Sequence, residues 1–131
     1  MKQLTILICV FSFSIFSITS SAQEQEHAQL MIVKFHADWC GSCKAIAPAI
    51  KELKASLEGK PTLFVKLDFT NDATKAQANM LSKALGIHDI VSKHNKTGFV
   101  LVIDSKTKKV HEKLTKKMNA KEMKDKIVAL L

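Results

Sequence analysis

The tightest constraint on the fold is the run Leu30-Met31-Ile32-Val33-Lys34-Phe35-His36, which passes through a short turn into a helical stripe. The run is continuously apolar rather than alternating, as in a strand of a parallel sheet covered on both faces. Cys43, Ile46, Ile50, Leu53 and Leu57 then fall on one helical face. Gly59 is placed to be the C′ residue and Pro61 lies just beyond, so the helix has a marked end. A buried strand followed by an amphipathic helix must place that helix against its own sheet.

The rest of the chain continues in the same style. Thr62 to Phe69 reads as a second strand. Asn71 or Asp72 can cap a second helix carrying Met80, Leu81, Ala84 and Leu85 and ended by Gly86. Ile87 to Gly98 reads as a short helical turn followed by a loop, and Phe99 to Ile103 is the plainest strand. A turn over Ser105-Lys106-Thr107-Lys108 leads into Val110 to Leu114 as an antiparallel hairpin. Asn119 and Glu122 form a capping box that opens a last helix, with Met123, Ile127, Leu130 and Leu131 on its stripe. The order β-α-β-α-β-β-α predicts a single α/β domain, 30–131, with helices on both faces of a central mixed sheet. The strands before the first two crossovers should be parallel and the last hairpin antiparallel.

The first 22 residues are expected to be a signal peptide rather than part of this domain. Lys2 supplies a charge, Leu4 to Ile18 is apolar, and Ser20-Ser21-Ala22 supplies small residues ahead of a polar leader, 23–29. The apolar run of about 15 residues is shorter than the roughly 20 needed to span a bilayer. Export to a periplasm is therefore expected, with a membrane-tethered form if the leader is uncleaved. Cys9 would leave with the leader, so Cys40 and Cys43 would remain as the mature protein's pair. The net charge is +8, or +7 without Lys2, and every basic residue is Lys. Without Arg forks or Tyr, the composition argues against nucleic-acid recognition, and the Lys106–Lys126 stretch reads as a solvated face.

Two cysteines three apart close almost no loop, so their bond adds little stability by restricting the unfolded chain. Their value must be chemical. Trp39-Cys40-Gly41-Ser42-Cys43 stands between the first strand and its helix. A thiolate at Cys40 would there face unpaired N–H groups and the positive end of a helix beginning near Cys43. Such a setting lowers a thiol pKa from about 8.5 into the range of about 3.5–7.5. Cys40, read as the exposed member, is the candidate nucleophile and Cys43 the resolving residue that closes a Cys40–Cys43 disulfide. No cofactor is needed for that exchange.

At these residues the chain resembles the thioredoxin family, from about Leu30 to Leu131 and most closely over Phe35 to Leu53. Ala37-Asp38-Trp39-Cys40-Gly41-Ser42-Cys43-Lys44 is similar to the family's A-x-W-C-G-P-C-K signature, and Pro48 matches its helix-kinking proline. Ala37 to Cys40 and Leu67 to Asp72 look closest to exported bacterial disulfide-interchange domains. The resemblance implies a thiol–disulfide oxidoreductase acting on protein disulfides, as a reductant fed by a membrane electron donor, and a monomer. Trp39, Gly41, Ser42, Thr97 and Gly98 would support the cysteines.

The chain departs from that pattern in four ways. Ser42 replaces the bridging proline, and Lys34 stands where the family has a buried acid, where it is expected to snorkel outward. Gly98 occupies the position of the family's cis-proline, so the Thr97–Gly98 bond is predicted to be trans, a non-proline cis bond costing about 3–4 kcal/mol. About seven extra residues within His88–Lys96 follow Gly86-Ile87, and they are expected near the active centre, shaping partner choice.

Two other classes compete. Cys40 and Cys43 with His36, His88 or His94 could hold zinc or copper, although no second C-x-x-C completes the usual four ligands. A non-catalytic interaction module is the other, although such modules commonly lose a cysteine. Trp39 is expected as a packing and contact residue, with Asp38 and Lys44 as neighbouring charges.

Overall fold

The computed structural model describes residues 27–131. The signal peptide expected over 1–22, and positions 23–26 of the polar leader, lie outside the described residues. The elements are β1 (Leu30–His36), α1 (Gly41–Ser56), β2 (Thr62–Asp68), α2 (Asp72–Ala84), α3 (His88–Ser92), β3 (Phe99–Asp104), β4 (Val110–Thr115) and α4 (Ala120–Val128). They form a four-stranded sheet in the order β2-β1-β3-β4.

The apolar run β1 lies inside the sheet, which is why it does not alternate. Met31, Val33 and Phe35 face a cluster with Ala78, Ile87, Val91 and Leu101. Leu30 and Ile32 face the opposite cluster, with Ile46, Leu53, Met123 and Ile127. Helices α1 and α4 thus cover one face and α2 with α3 the other. Each fully buried Leu or Ile contributes roughly 1.5–3 kcal/mol, so both faces hold the sheet in register.

β1 and β2 are parallel, Leu30 opposite Thr62 and His36 opposite Asp68. β3 and β4 form the expected antiparallel hairpin. Its turn is set by Asp104, whose carboxylate accepts the N–H groups of Lys106 (2.9 Å) and Thr107 (2.7 Å). β3 also runs antiparallel to β1, with Phe35 opposite Phe99 and Leu30 opposite Asp104. The connection from β2 descends through α2, turns at Gly86 (φ +69°) and climbs back through α3 and the following loop. It therefore delivers β3 to the end of the sheet where β2 finished.

Three local expectations need correction. α1 ends with Leu57 as its cap, and Gly59 takes its positive φ (+75°) two residues later, beyond C′. On α2, Met80, Leu81 and Ala84 face solvent, Met80 at 72% exposure. Small residues, Ala78 and Ser82, sit against the sheet instead, with Leu85 half-buried. The Ser82 hydroxyl is satisfied there, 2.9 Å from Asn79 O and 3.1 Å from His88 Nδ1. Small side chains let the helix seat on the β-branched and aromatic face, a fit that a count of large apolar residues does not detect. On α4, Met123 and Ile127 are buried but Leu131 is exposed, because the helix stops at Val128.

Candidate active site

The helix starts two residues earlier than the sequence suggested. α1 begins at Gly41, two residues before Cys43, and Cys40 is its N-cap residue in extended conformation (φ −85°, ψ 109°). Cys40 Sγ accepts the backbone N–H of Cys43 at 3.1 Å. Cys40 O accepts from Cys43 N (3.1 Å) and Lys44 N (3.2 Å), while Cys40 N donates to Ala37 O (3.1 Å). A sulfur thus occupies the place where Ser or Asp usually caps a helix. No acidic residue lies in the first turn to offset the helix's positive end. The cysteines are joined as a disulfide with Cα atoms 5.2 Å apart.

Cys40 is less exposed than expected, at 7% against 1% for Cys43. The ordering survives, Cys40 being the more exposed of the two. The cover is Gly98. Its φ is +91°, and a Cβ there would lie 2.5 Å from Ser42 Cβ, 3.2 Å from Cys40 Sγ and 3.5 Å from Cys43 N. Backbone therefore rests directly on the disulfide, and an L side chain is barred by both its φ and its neighbours. Gly98 reaches the cysteines because β3 is antiparallel to β1; the parallel sense would place it at the far end of the sheet. Peptide bonds among the described residues are trans, Thr97–Gly98 included, and Thr97 is half-buried. Gly41 meets nothing within 4 Å at its missing Cβ, so its place carries no steric demand.

Trp39 stays beside the cysteines, but its ring is 67% exposed rather than packed. It is held by one bond, Nε1–H to Thr70 O at 3.2 Å. Thr70 is the residue that reading the sequence missed. Its hydroxyl accepts the Asp38 N–H at 3.0 Å and donates to Asp68 Oδ1 at 2.5 Å. One threonine after β2 thus ties down the turn that leads into Cys40. The hydroxyl and N–H of Thr70, followed by the Lys66 ammonium, hold the Asp68 carboxyl down at about 2. The signal was present in Leu67 to Asp72, but nothing in the sequence shows which residue spans the gap.

Lys34 is half-buried, with its pKa lowered by burial and by the nearby Lys66. It makes no ion pair among the described residues. The segment 88–96 is no simple surface loop. Ile87 and Val91 are buried in the core, and His94 packs edge-on to Phe35 (centroids 5.5 Å) and against Phe99 (5.3 Å). Burial, followed by the Lys113 ammonium, lowers the His94 pKa.

The histidines offered for a metal site with the cysteines go elsewhere. His36 bonds Asp38 (3.0 Å), His88 bonds Ser82, and His94 joins the aromatic stack. His36, Asp38 and Asp68 have ligand-capable atoms within 4.8 Å of one another. Asp68 is already engaged there by Thr70 and by Lys66 (3.1 Å).

A mixed sheet with a cysteine pair on the first turn of the helix that follows its inner strand defines a thioredoxin fold. The family model for thioredoxin matches residues 16–127, and the chain belongs to that family. It is 44% identical over 54 residues to thioredoxin of Staphylococcus aureus, covering 40% of this chain and 51% of that one. The chain thus spans about half the length of the curated relatives it matches. Among solved structures it resembles DsbF of MTB, with a TM-score of 0.53 and 15% identity over 80% of this chain and 83% of that one. StoA from Bacillus subtilis also has a TM-score of 0.53, at 14% identity over 77% and 84% of the respective chains. At such identities the likeness concerns the fold.

Proposed function

We propose that this chain is an exported thiol–disulfide oxidoreductase that reduces protein disulfides. The observation that supports the exchange chemistry most is Cys40 as N-cap, its sulfur receiving the Cys43 N–H at the unopposed positive end of α1. The same contacts would stabilise a Cys40 thiolate once the pair is reduced. In the reaction, Cys40 S⁻ attacks one sulfur of a substrate disulfide, the substrate S–S bond breaks, and one substrate thiolate leaves. Cys43, deprotonated, then attacks Cys40 Sγ, breaking the mixed disulfide and releasing the second substrate thiolate. The substrate gains two electrons and the Cys40–Cys43 pair loses them. A membrane-bound dithiol donor would restore the pair in an oxidising compartment. The exposed indole of Trp39 beside the cysteines is the natural contact for a substrate chain, and the protein works as a monomer.

The test is reduction of insulin by the chain in dithiothreitol. Activity lost in Cys40→Ser and a trapped mixed disulfide in Cys43→Ser support the exchange reading; activity unaffected by Cys40→Ser ends it. Direction is read from the equilibrium potential of the pair: near about −270 mV supports a reductant, and near about −120 mV an oxidant. Mass spectrometry of the exported fraction, with a mature N-terminus at Gln23, would establish the export route.

A further inference from the structure

Phe35 O is the acceptor for two groups of the centre. Gly98 N–H donates to it at 2.9 Å, and Cys43 Sγ lies 3.6 Å away, within reach for an S–H donor. A carbonyl oxygen has two lone pairs and can receive both, but each donor draws charge from the oxygen and weakens its hold on the other. In the disulfide Cys43 carries no proton, so the Gly98 N–H has the oxygen without competition. Reduction breaks the S–S bond with two electrons, and Cys43 on taking a proton becomes the second donor to an oxygen already engaged.

We infer that the Gly98 N–H tunes the resolving cysteine through this shared carbonyl, an inference that rests on the exchange reading above. With the oxygen partly spent on Gly98, the neutral Cys43 thiol is stabilised less. Its thiolate is then more available for resolution, and the reduced form is less favoured against the disulfide. Gly98 is thus a positioning residue, and its working group is the backbone N–H. A side chain is barred by φ +91° and by the Ser42 and Cys40 contacts, and a proline would have no N–H to give. The Phe35 carbonyl is itself held, because Phe35 lies in an inner strand and its ring stacks on Phe99 (4.6 Å) and on Phe69 (5.8 Å) with His94 on its edge. The titratable groups on the elements that meet at Cys43 are Lys44, Lys51, Glu52 and Lys54 on α1, Lys34 and His36 on β1, and Lys66 and Asp68 on β2. All are common to both proteins in the comparison below.

The experiment replaces the Thr97–Gly98 amide by an ester in the full chain assembled by ligation, which deletes the N–H and adds no side chain. The ester protein should lie about threefold further toward the reduced form in glutathione buffer, a shift of about 14 mV at 29.6 mV per decade. The Cys43 thiol should titrate about half a unit higher. An unchanged potential and titration, or a shift toward the disulfide, overturns the inference. The unmodified chain gives a second test by NMR. The through-hydrogen-bond coupling between Gly98 N and Phe35 C′ should fall on reduction below the Cys43 titration and recover above it. A coupling constant that ignores both changes overturns the inference even if the ester protein does not fold. Failure of the unmodified chain to reduce insulin would instead count against the exchange reading, and the coupling would still be measured independently.

Discussion

Two residues decide how the cysteine turn is held, and they act in different ways. Gly98 acts by having no side chain. Thr70 acts through one hydroxyl that serves the Asp38 N–H and the Asp68 carboxylate together. Thr70→Val keeps the shape and removes both bonds, and should cost about 1–2 kcal/mol in urea unfolding. It should also let the Asp68 carboxyl rise from about 2 toward the ordinary value of about 3.9 in an NMR titration. The sign follows from linkage. A depressed carboxyl stabilises the fold above its unfolded pKa of about 3.9, and that contribution is lost as pH falls toward 2. Thr70→Val should therefore flatten the acid loss of stability between about pH 4 and pH 2. Asp68 is partly open to solvent, so the effect will be modest and screened by salt.

At the scale of elements, the starts of α2 and α4 were the most legible features. Asn71 with Thr74, and Asn119 with Glu122, each form a reciprocal capping box at the start of their helices. Asn119→Ala should cost about 1 kcal/mol and lower Tm by about 4–8 °C for a domain of this size, measured by calorimetry. The segment joining α2 to β3 is held by burial of Ile87 and Val91 and by the His94 stack. Its His94 prefers to be neutral when folded. The unfolded chain therefore takes up the proton first as pH falls below about 6.5, and stability declines from there downward. His94→Phe should remove that decline in unfolding midpoints taken between about pH 7 and pH 5. Because the segment is part of the core, its influence on partner choice is better examined at exposed Ser92, Lys93, Asn95 and Lys96 than by deletion. Replacing those four without changing rates toward any disulfide partner would remove it from partner choice.

At the scale of the molecule, the sheet exists as the support for one sulfur pair at one end. A bond across three positions restricts the unfolded chain little, so oxidised and reduced forms should differ in stability chiefly through how the fold treats the thiolate. A reductant requires its disulfide form to be the more stable, whereas a strong oxidant stabilises its reduced form. In urea unfolding of both forms, a higher midpoint for the disulfide form supports the reductant reading; a higher midpoint for the reduced form, the direction that thiolate stabilisation at Cys40 favours, would make the chain an oxidant.

The family resemblance implied that Gly98 faces the disulfide; contiguous residues carried what the sequence determined by itself: the buried strand, the cysteine pair near the start of a helix, the N-caps of α2 and α4, and the hairpin turn. Each rests on neighbours in the chain or on a pattern with a fixed period, and so is visible without a fold. Three features were left to the tertiary structure. The antiparallel seat of β3 depends on where a long connection returns. The buried face of α2 depends on the shape of the sheet beneath it, which small Ala78 and Ser82 fit better than large Met80 and Leu81. The sharing of Phe35 O by Gly98 and Cys43, like the Thr70 tether, is made of backbone groups and one hydroxyl brought together across long separations. Backbone groups are the same in every sequence, so only folding determines which of them meet.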